Sequence, residues 1–129
     1  PLRRFHPSSK YHLAFNIGYP NKYDKSHDRS GSAIMMHGAE ASIGCYAMTD
    51  QGIEEIYTIA HAALTSGKQK YFRFHSFPFR MTEENMEKHK DNQWIDFWKN
   101  LKTGYDHFES TGSPPSVEVK NKKYSFKPQ

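Results

Sequence analysis

The chain has 129 residues, 36% hydrophobic and 15% aromatic, which is enough for one domain whose core is built from rings more than from aliphatics. That balance excludes disorder of the chain as a whole, and no apolar run approaches the roughly 20 residues of a membrane helix. The net charge of +4 comes from scattered Lys and Arg, which argues against a nucleic-acid patch, and a single cysteine forbids an internal disulfide.

Pro1 to Lys10 is basic and turn-rich, with Pro7-Ser8-Ser9, and reads as a surface lead-in. Tyr11 to Gly18 alternates weakly, with Leu13, Phe15 and Ile17 on one face, and predicts a half-buried strand. Asn16 lies on its other face near the strand end. Tyr19 to Gly31 holds Pro20-Asn21 and almost no aliphatic residue, which predicts a loop. Loops longer than about 12 residues are often functional, so this one, opening at Tyr19, is expected to line a substrate groove. His27 with Asp24 and Asp28 has no metal-ligand spacing, and no metal is implied.

Ser32 to Met36 carries a short apolar run and predicts a buried central strand that ends at His37-Gly38. A loop of small residues, including Ser42, leads to Gly44-Cys45-Tyr46, just ahead of a helix start at Thr49-Asp50. A thiol with a neighbouring imidazole is the arrangement of an activated nucleophile. A free thiol titrates near 8.5, and both an imidazole and a helix N-terminus favour its thiolate. Positions 37 and 45 meet only if the loop folds back, which Gly38 and Gly44 permit. Gly44 also lets a substrate carbonyl approach the backbone, so the N–H groups of Gly44, Cys45 and Tyr46 are candidates for an oxyanion hole. The plainer reading of the same residues is a small buried cysteine and a loop histidine.

Thr49 is the expected N-cap of a helix with Asp50 in its first turn. Ile53, Ile56, Tyr57, Ala60, Ala63 and Leu64 recur at helical spacing and mark its buried stripe, and Gly67 ends it. Glu54 and Glu55 are adjacent and face solvent, so they are not an acid–base pair. Tyr71 to Phe79 alternates aromatic and polar and predicts a strand stopped by Pro78. It carries His75, a rival base for Cys45, and is followed by Arg80 in a loop expected to reach substrate. A short helix is predicted from Thr82 to about Lys90. A second begins near Asn92, with Trp94, Phe97, Trp98, Leu101, Tyr105 and Phe108 as a core-facing stripe. Val117 and Val119, the turn Asn121-Lys122, then Tyr124 and Phe126 predict a terminal hairpin.

Met36-His37-Gly38 followed by Ser42-Ile43-Gly44-Cys45-Tyr46-Ala47-Met48 resembles the signature of the YkuD-type L,D-transpeptidase catalytic domain. The match is closer to its YafK-like branch, the murein L,D-transpeptidase-like proteins of Gram-negative envelopes. Phe15 to Asn21 with Tyr23-Asp24, Thr49-Asp50 with Ile53 to Tyr57, Phe77 to Thr82, and Trp94 to Trp98 resemble the same branch in the same order. The chain departs from the general pattern at Ile43, where the family has a His, at Ala47, where an Arg is common, and in the short spacing from His37 to Cys45. The first and second of these are shared by the YafK-like branch.

The resemblance implies an α+β fold, a YkuD-like mixed sheet with helices after the cysteine. It implies one catalytic domain over residues 1–129, truncated at its N-terminal strands, with 82–129 as a C-terminal extension. It also implies cysteine acyl transfer on peptidoglycan stem peptides at meso-diaminopimelate. Cys45 is then the nucleophile, His37 the base, and the Gly38 carbonyl the group that orients His37. Gly44 and Tyr46 supply backbone N–H groups, and Ser42, Asn16, Tyr19 and Arg80 contact substrate. Transpeptidation and hydrolysis that releases a peptidoglycan-linked lipoprotein both remain open. No cofactor is implied. A periplasmic or envelope location is implied, with an export signal outside this chain. The alternative is a non-catalytic peptidoglycan-binding or adaptor module.

Overall fold

The computed structural model describes residues 1–127 and is an α+β structure in two units. The first comprises residues 1–24 and 29–74 and holds a four-stranded sheet, β1 (Phe5–Ser9), β2 (His12–Asn16), β3 (Met35–His37) and β4 (Tyr46–Ala47), in that spatial order. The sheet is mixed. β1 and β2 are antiparallel, with Phe5 opposite Phe15 and His6 opposite Ala14. β2 and β3 are antiparallel, with Ala14 opposite His37 and Phe15 opposite Met36. β3 and β4 are parallel, with Met36 opposite Tyr46 and His37 opposite Ala47.

Parallel neighbours ordinarily need a crossover of about a dozen residues. Here residues 38–45 return the chain, because the two strands are only three and two residues long. Positive φ at Ala39 (60°) and Gly44 (142°) supplies the reversals at its two ends.

Residues 1–10 differ from the expected surface lead-in: Leu2–Arg4 forms one helical turn and Phe5–Ser9 a strand. Ring packing drives this. The Phe5 ring stacks on Phe15 with centroids 5.4 Å apart and meets Tyr57 edge-on at 4.7 Å. The expected loop at 19–31 contains a short helix, α1 (Lys22–Ser26). Asn21 and Asp24 cap it reciprocally: each side-chain oxygen accepts from the other's backbone N–H at 3.0 Å. That pairing is readable as an acid three residues after an N-cap amide.

Helix α2 (Asp50–Thr65) covers the sheet. Thr49 caps it by accepting from the Gly52 N–H at 3.0 Å. Its stripe places Ile53, fully buried, against Phe15 and Met36, with Leu13, Ile17, Met48, Ile56, Tyr57, Phe72 and Phe74 packed around them. Residues 71–79 keep the expected alternation, with Phe72 and Phe74 half-buried and Tyr71, Arg73 and His75 exposed, but they form no strand. The Phe72 and Phe74 rings join the core through side chains alone; Phe72 meets Phe15 edge-on at 5.6 Å.

The second unit comprises residues 25–28 and 75 onward. It holds α3 (Glu83–Lys88), capped by Thr82, α4 (Ile95–Thr111), and the antiparallel hairpin β5 (Ser116–Lys120) and β6 (Lys123–Lys127). Asn121 and Lys122 both take positive φ, the signature of a tight two-residue hairpin turn. Asn100 on α4 completes β6 by bonding both the N–H and the carbonyl of Tyr124, at 3.0 and 2.9 Å. Of the aromatic stripe, Phe97, Trp98, Leu101 and Tyr105 are half-buried, whereas Trp94 and Phe108 are about half exposed. Among the described residues no helix is long and apolar enough to cross a membrane.

Candidate active site

The sheet register decides which side chains share a face. β3 and β4 run parallel with His37 opposite Ala47. Alternation then puts position 45, two residues before Ala47, on the same face as His37. One strand spacing across and two residues along separates their Cα positions by about 8 Å. His37 and Cys45 accordingly line one cleft of about 360 Å³, together with Ser42, His6, Lys10 and Tyr11.

His37 is buried at 4% exposure. Its Nδ1 lies 2.5 Å from the Gly38 carbonyl oxygen. A carbonyl only accepts, so Nδ1 carries the proton and Nε2 is left with its lone pair. Tyr11 covers the imidazole, with ring centroids 4.9 Å apart. The Gly38 N–H donates to the Leu13 carbonyl at 3.0 Å, and the Ala39 N–H donates to Oδ1 of Asp50 at 2.8 Å. Gly38 has no room for a side chain: a Cβ there would sit 2.6 Å from Asp50 Oδ1 and 2.8 Å from the Tyr11 carbonyl oxygen.

The other end of the returning loop is organised by Ser42. Its hydroxyl donates to the Cys45 carbonyl at 2.9 Å and accepts from the Gly44 N–H at 3.1 Å. Ser42 therefore shapes the loop, and the Gly44 N–H is engaged inside it. Cys45 is half-buried, and its thiol donates to the Ala33 carbonyl at 3.8 Å. Tyr46 begins β4, opposite Met36, and its ring meets Phe74 edge-on at 5.1 Å.

Each remaining residue expected at the site has its own local partners. Asn16 ends β2, where its side-chain oxygen accepts from the Gly18 N–H at 2.7 Å and closes a turn. The Tyr19 hydroxyl donates to the Ser30 carbonyl at 3.0 Å and ties together the two ends of the 19–31 segment. Neither is among the cleft-lining residues. Arg80 and His75 belong to the second unit. The Arg80 carbonyl accepts from Thr82 and from the Asn85 side chain, and the His75 ring meets Phe77 edge-on. Asp24 binds the Arg29 guanidinium at 3.2 Å, and His27 bonds the Lys122 carbonyl at 2.8 Å.

His6, Lys10 and Tyr11 reach the cleft because β1 pairs with β2, with Lys10-Tyr11 as the hairpin turn. The one sequence signal for that hairpin is Phe5, an isolated large ring inside a polar stretch. Lys10 gives the cleft a cationic rim, with its Nζ 5.2 Å above the Tyr11 ring.

No family model matches the chain. It is 50% identical over 118 residues to the protein named "Putative L,D-transpeptidase YafK" of Escherichia coli strain K12, and equally to its counterpart in Escherichia coli O157:H7. Each alignment covers 92% of this chain and 48% of the relative, so the chain spans about half the length of the curated relatives it matches.

Proposed function

From a chain that belongs to the YafK-like L,D-transpeptidase family, we propose a cysteine acyl-transfer site acting on peptidoglycan stem peptides in the cell envelope. The observation that carries this reading is the cleft shared by the sole cysteine and a histidine whose Nδ1–H is held by the Gly38 carbonyl. That bond fixes the tautomer in which Nε2 accepts a proton. This reading requires the thiol to exchange its bond to the Ala33 carbonyl for one to His37 by rotation about χ1 in the substrate-free protein.

In the proposed reaction His37 Nε2 takes the Cys45 proton and the thiolate attacks the amide carbonyl at meso-diaminopimelate. The Cys45 N–H holds the developing oxyanion. The C–N bond breaks as the imidazolium returns its proton to the departing amine, leaving a thioester. An amine then attacks the thioester to form a cross-link, or water attacks to hydrolyse it. Hydrolysis of the link between peptidoglycan and a lipoprotein is the more specific form. Lys10 places positive charge on the rim of the cleft, which suits a carboxylate-rich stem peptide.

The other reading is a peptidoglycan-binding module without catalysis, and the thiol's bond to Ala33 is the observation on its side. Intact-protein mass spectrometry after incubation with stem-peptide muropeptides, including lipoprotein-linked ones, separates the two. An acyl adduct on the parent protein that is absent from Cys45→Ala supports the enzyme. Muropeptide binding without an adduct or turnover points to the module.

A further inference from the structure

The Gly38–Ala39 peptide bond is held at both ends. Its carbonyl accepts from His37 Nδ1, and its N–H donates to the Asp50 carboxylate at 2.8 Å. A peptide unit is planar, so fixing the direction of its N–H fixes the direction of its carbonyl. A carboxylate on the N–H also polarises the amide and makes the carbonyl oxygen a stronger acceptor. The unit needs such a hold, because Ala39 takes a φ of 60°, a conformation unfavourable for a residue with a Cβ. Asp50 Oδ1 also occupies the space beside the Gly38 Cα.

Resting on the acyl-transfer reading above, we infer that Asp50 is a positioning residue. It aligns His37 through the Gly38–Ala39 peptide, so that carboxylate, peptide unit, imidazole and thiol form one ordered series. Asp50 touches no reacting atom. Its position in the first turn of α2 accounts for a favourable interaction with the helix dipole. It does not account for a bond to the turn that orients the histidine.

The rate of Cys45 alkylation by iodoacetamide against pH tests this without a peptidoglycan substrate, since Cys45 is the sole thiol of the sequence. The titratable groups lining the cleft are His6, Lys10, Tyr11 and His37, and the His12–Glu54 pair lies beside Gly38. Four variants separate the contributions: His37→Ala, Asp50→Ala, Asp50→Asn and Thr49→Ala. Losing an anion near a thiol would by itself favour the thiolate, whereas losing an aligned imidazole disfavours it. The direction of change in Asp50→Ala is therefore diagnostic.

The expected result is that His37→Ala and Asp50→Ala both shift the profile to higher pH, with about a tenfold slower rate near neutrality. Asp50→Asn keeps an oxygen acceptor for the Ala39 N–H and recovers most of the parent profile. Thr49→Ala weakens the same helix end without touching Ala39, and leaves the profile in place. A shift in His37→Ala but none in Asp50→Ala overturns the inference alone. So does an equal shift in Thr49→Ala, or an Asp50→Asn profile no closer to parent than that of Asp50→Ala. No shift in His37→Ala removes the Cys45–His37 pairing itself, and the inference with it.

Discussion

His37 Nδ1 bonds the carbonyl oxygen of Gly38, the residue that directly follows it in the chain. A histidine reaches the carbonyl of its own neighbour only if the backbone turns back at that point. The turn occurs where β3 ends and Gly38 packs too closely against Asp50 and Tyr11 to hold a Cβ.

Gly38→Ala is therefore expected to be costly out of proportion to one methyl group. The backbone oxygen of Tyr11 and the bonded carboxylate of Asp50 have little freedom to yield. Overpacking of this kind costs about 1–3 kcal/mol. Urea unfolding gives the loss, and a parallel fall in Cys45 alkylation near neutral pH shows that the turn and the site fail together. An unperturbed midpoint would mean the turn has slack that the contacts do not suggest.

The Tyr11 ring caps the buried imidazole at 4.9 Å. Replacement by Ala removes an aromatic pair worth about 0.5–1.5 kcal/mol beyond its area and opens His37 to water. The expected outcome is a modest drop in melting temperature with a larger relative change in Cys45 alkylation, which Tyr11→Phe restores. Melting and alkylation falling in proportion in both variants would assign Tyr11 to packing only.

Ile53 is fully buried between the sheet and α2. Ile53→Ala should cost about 2–5 kcal/mol, through lost transfer energy and the cavity left behind. A denaturant midpoint is the measurement, and a cost under about 1 kcal/mol would contradict the packing described.

In the second unit, Gly104 lies mid-helix in α4 with the Phe126 ring against it; a Cβ would come within 2.4 Å of that ring. Helix propensity alone favours Ala by about 1 kcal/mol, and the collision opposes it. Gly104→Ala is expected to destabilise in the parent and to stabilise, by up to about 1 kcal/mol, in a Phe126→Ala background. The sign reversal is the check. The same sign in both backgrounds would show that the ring moves aside freely.

Lys127 and Lys120, each with Nζ 3.3 Å from a Glu118 oxygen, hold the Glu118 carboxyl below its ordinary value of 4.5. A depressed folded-state pKa contributes stability above the unfolded value and loses it as pH falls through the folded one. Melting temperature should therefore drop on acidification below about 4.5, less steeply in Glu118→Gln. The pair is exposed, so the difference is small and shrinks in high salt. Identical acid limbs would show the ion pairs contribute nothing.

Hydrophobic periodicity and capping chemistry were readable directly in the chain. Thr49 and Thr82 start helices, Ile53 to Leu64 repeat at 3.6 residues, and Val117 to Phe126 alternate about an Asn-Lys turn, because these signals act over a few residues. The cysteine, the histidine and the two glycines between them were equally readable as residue types. What their spacing left undecided was proximity. Cys45 follows His37 by eight positions, and the two come to one cleft because β4 pairs parallel to β3 in one register, where a slip of one residue sends Cys45 to the opposite face. Tertiary structure likewise decided that Phe5–Ser9 is a strand, since Phe5 gains burial only against Phe15 and Tyr57. It decided that residues 71–79 form none, since alternation brings rings to a core without supplying a ladder partner. It also brought Asp50 to the Ala39 N–H, because sequence sees a first-turn acid where only the folded chain brings the returning loop beside it.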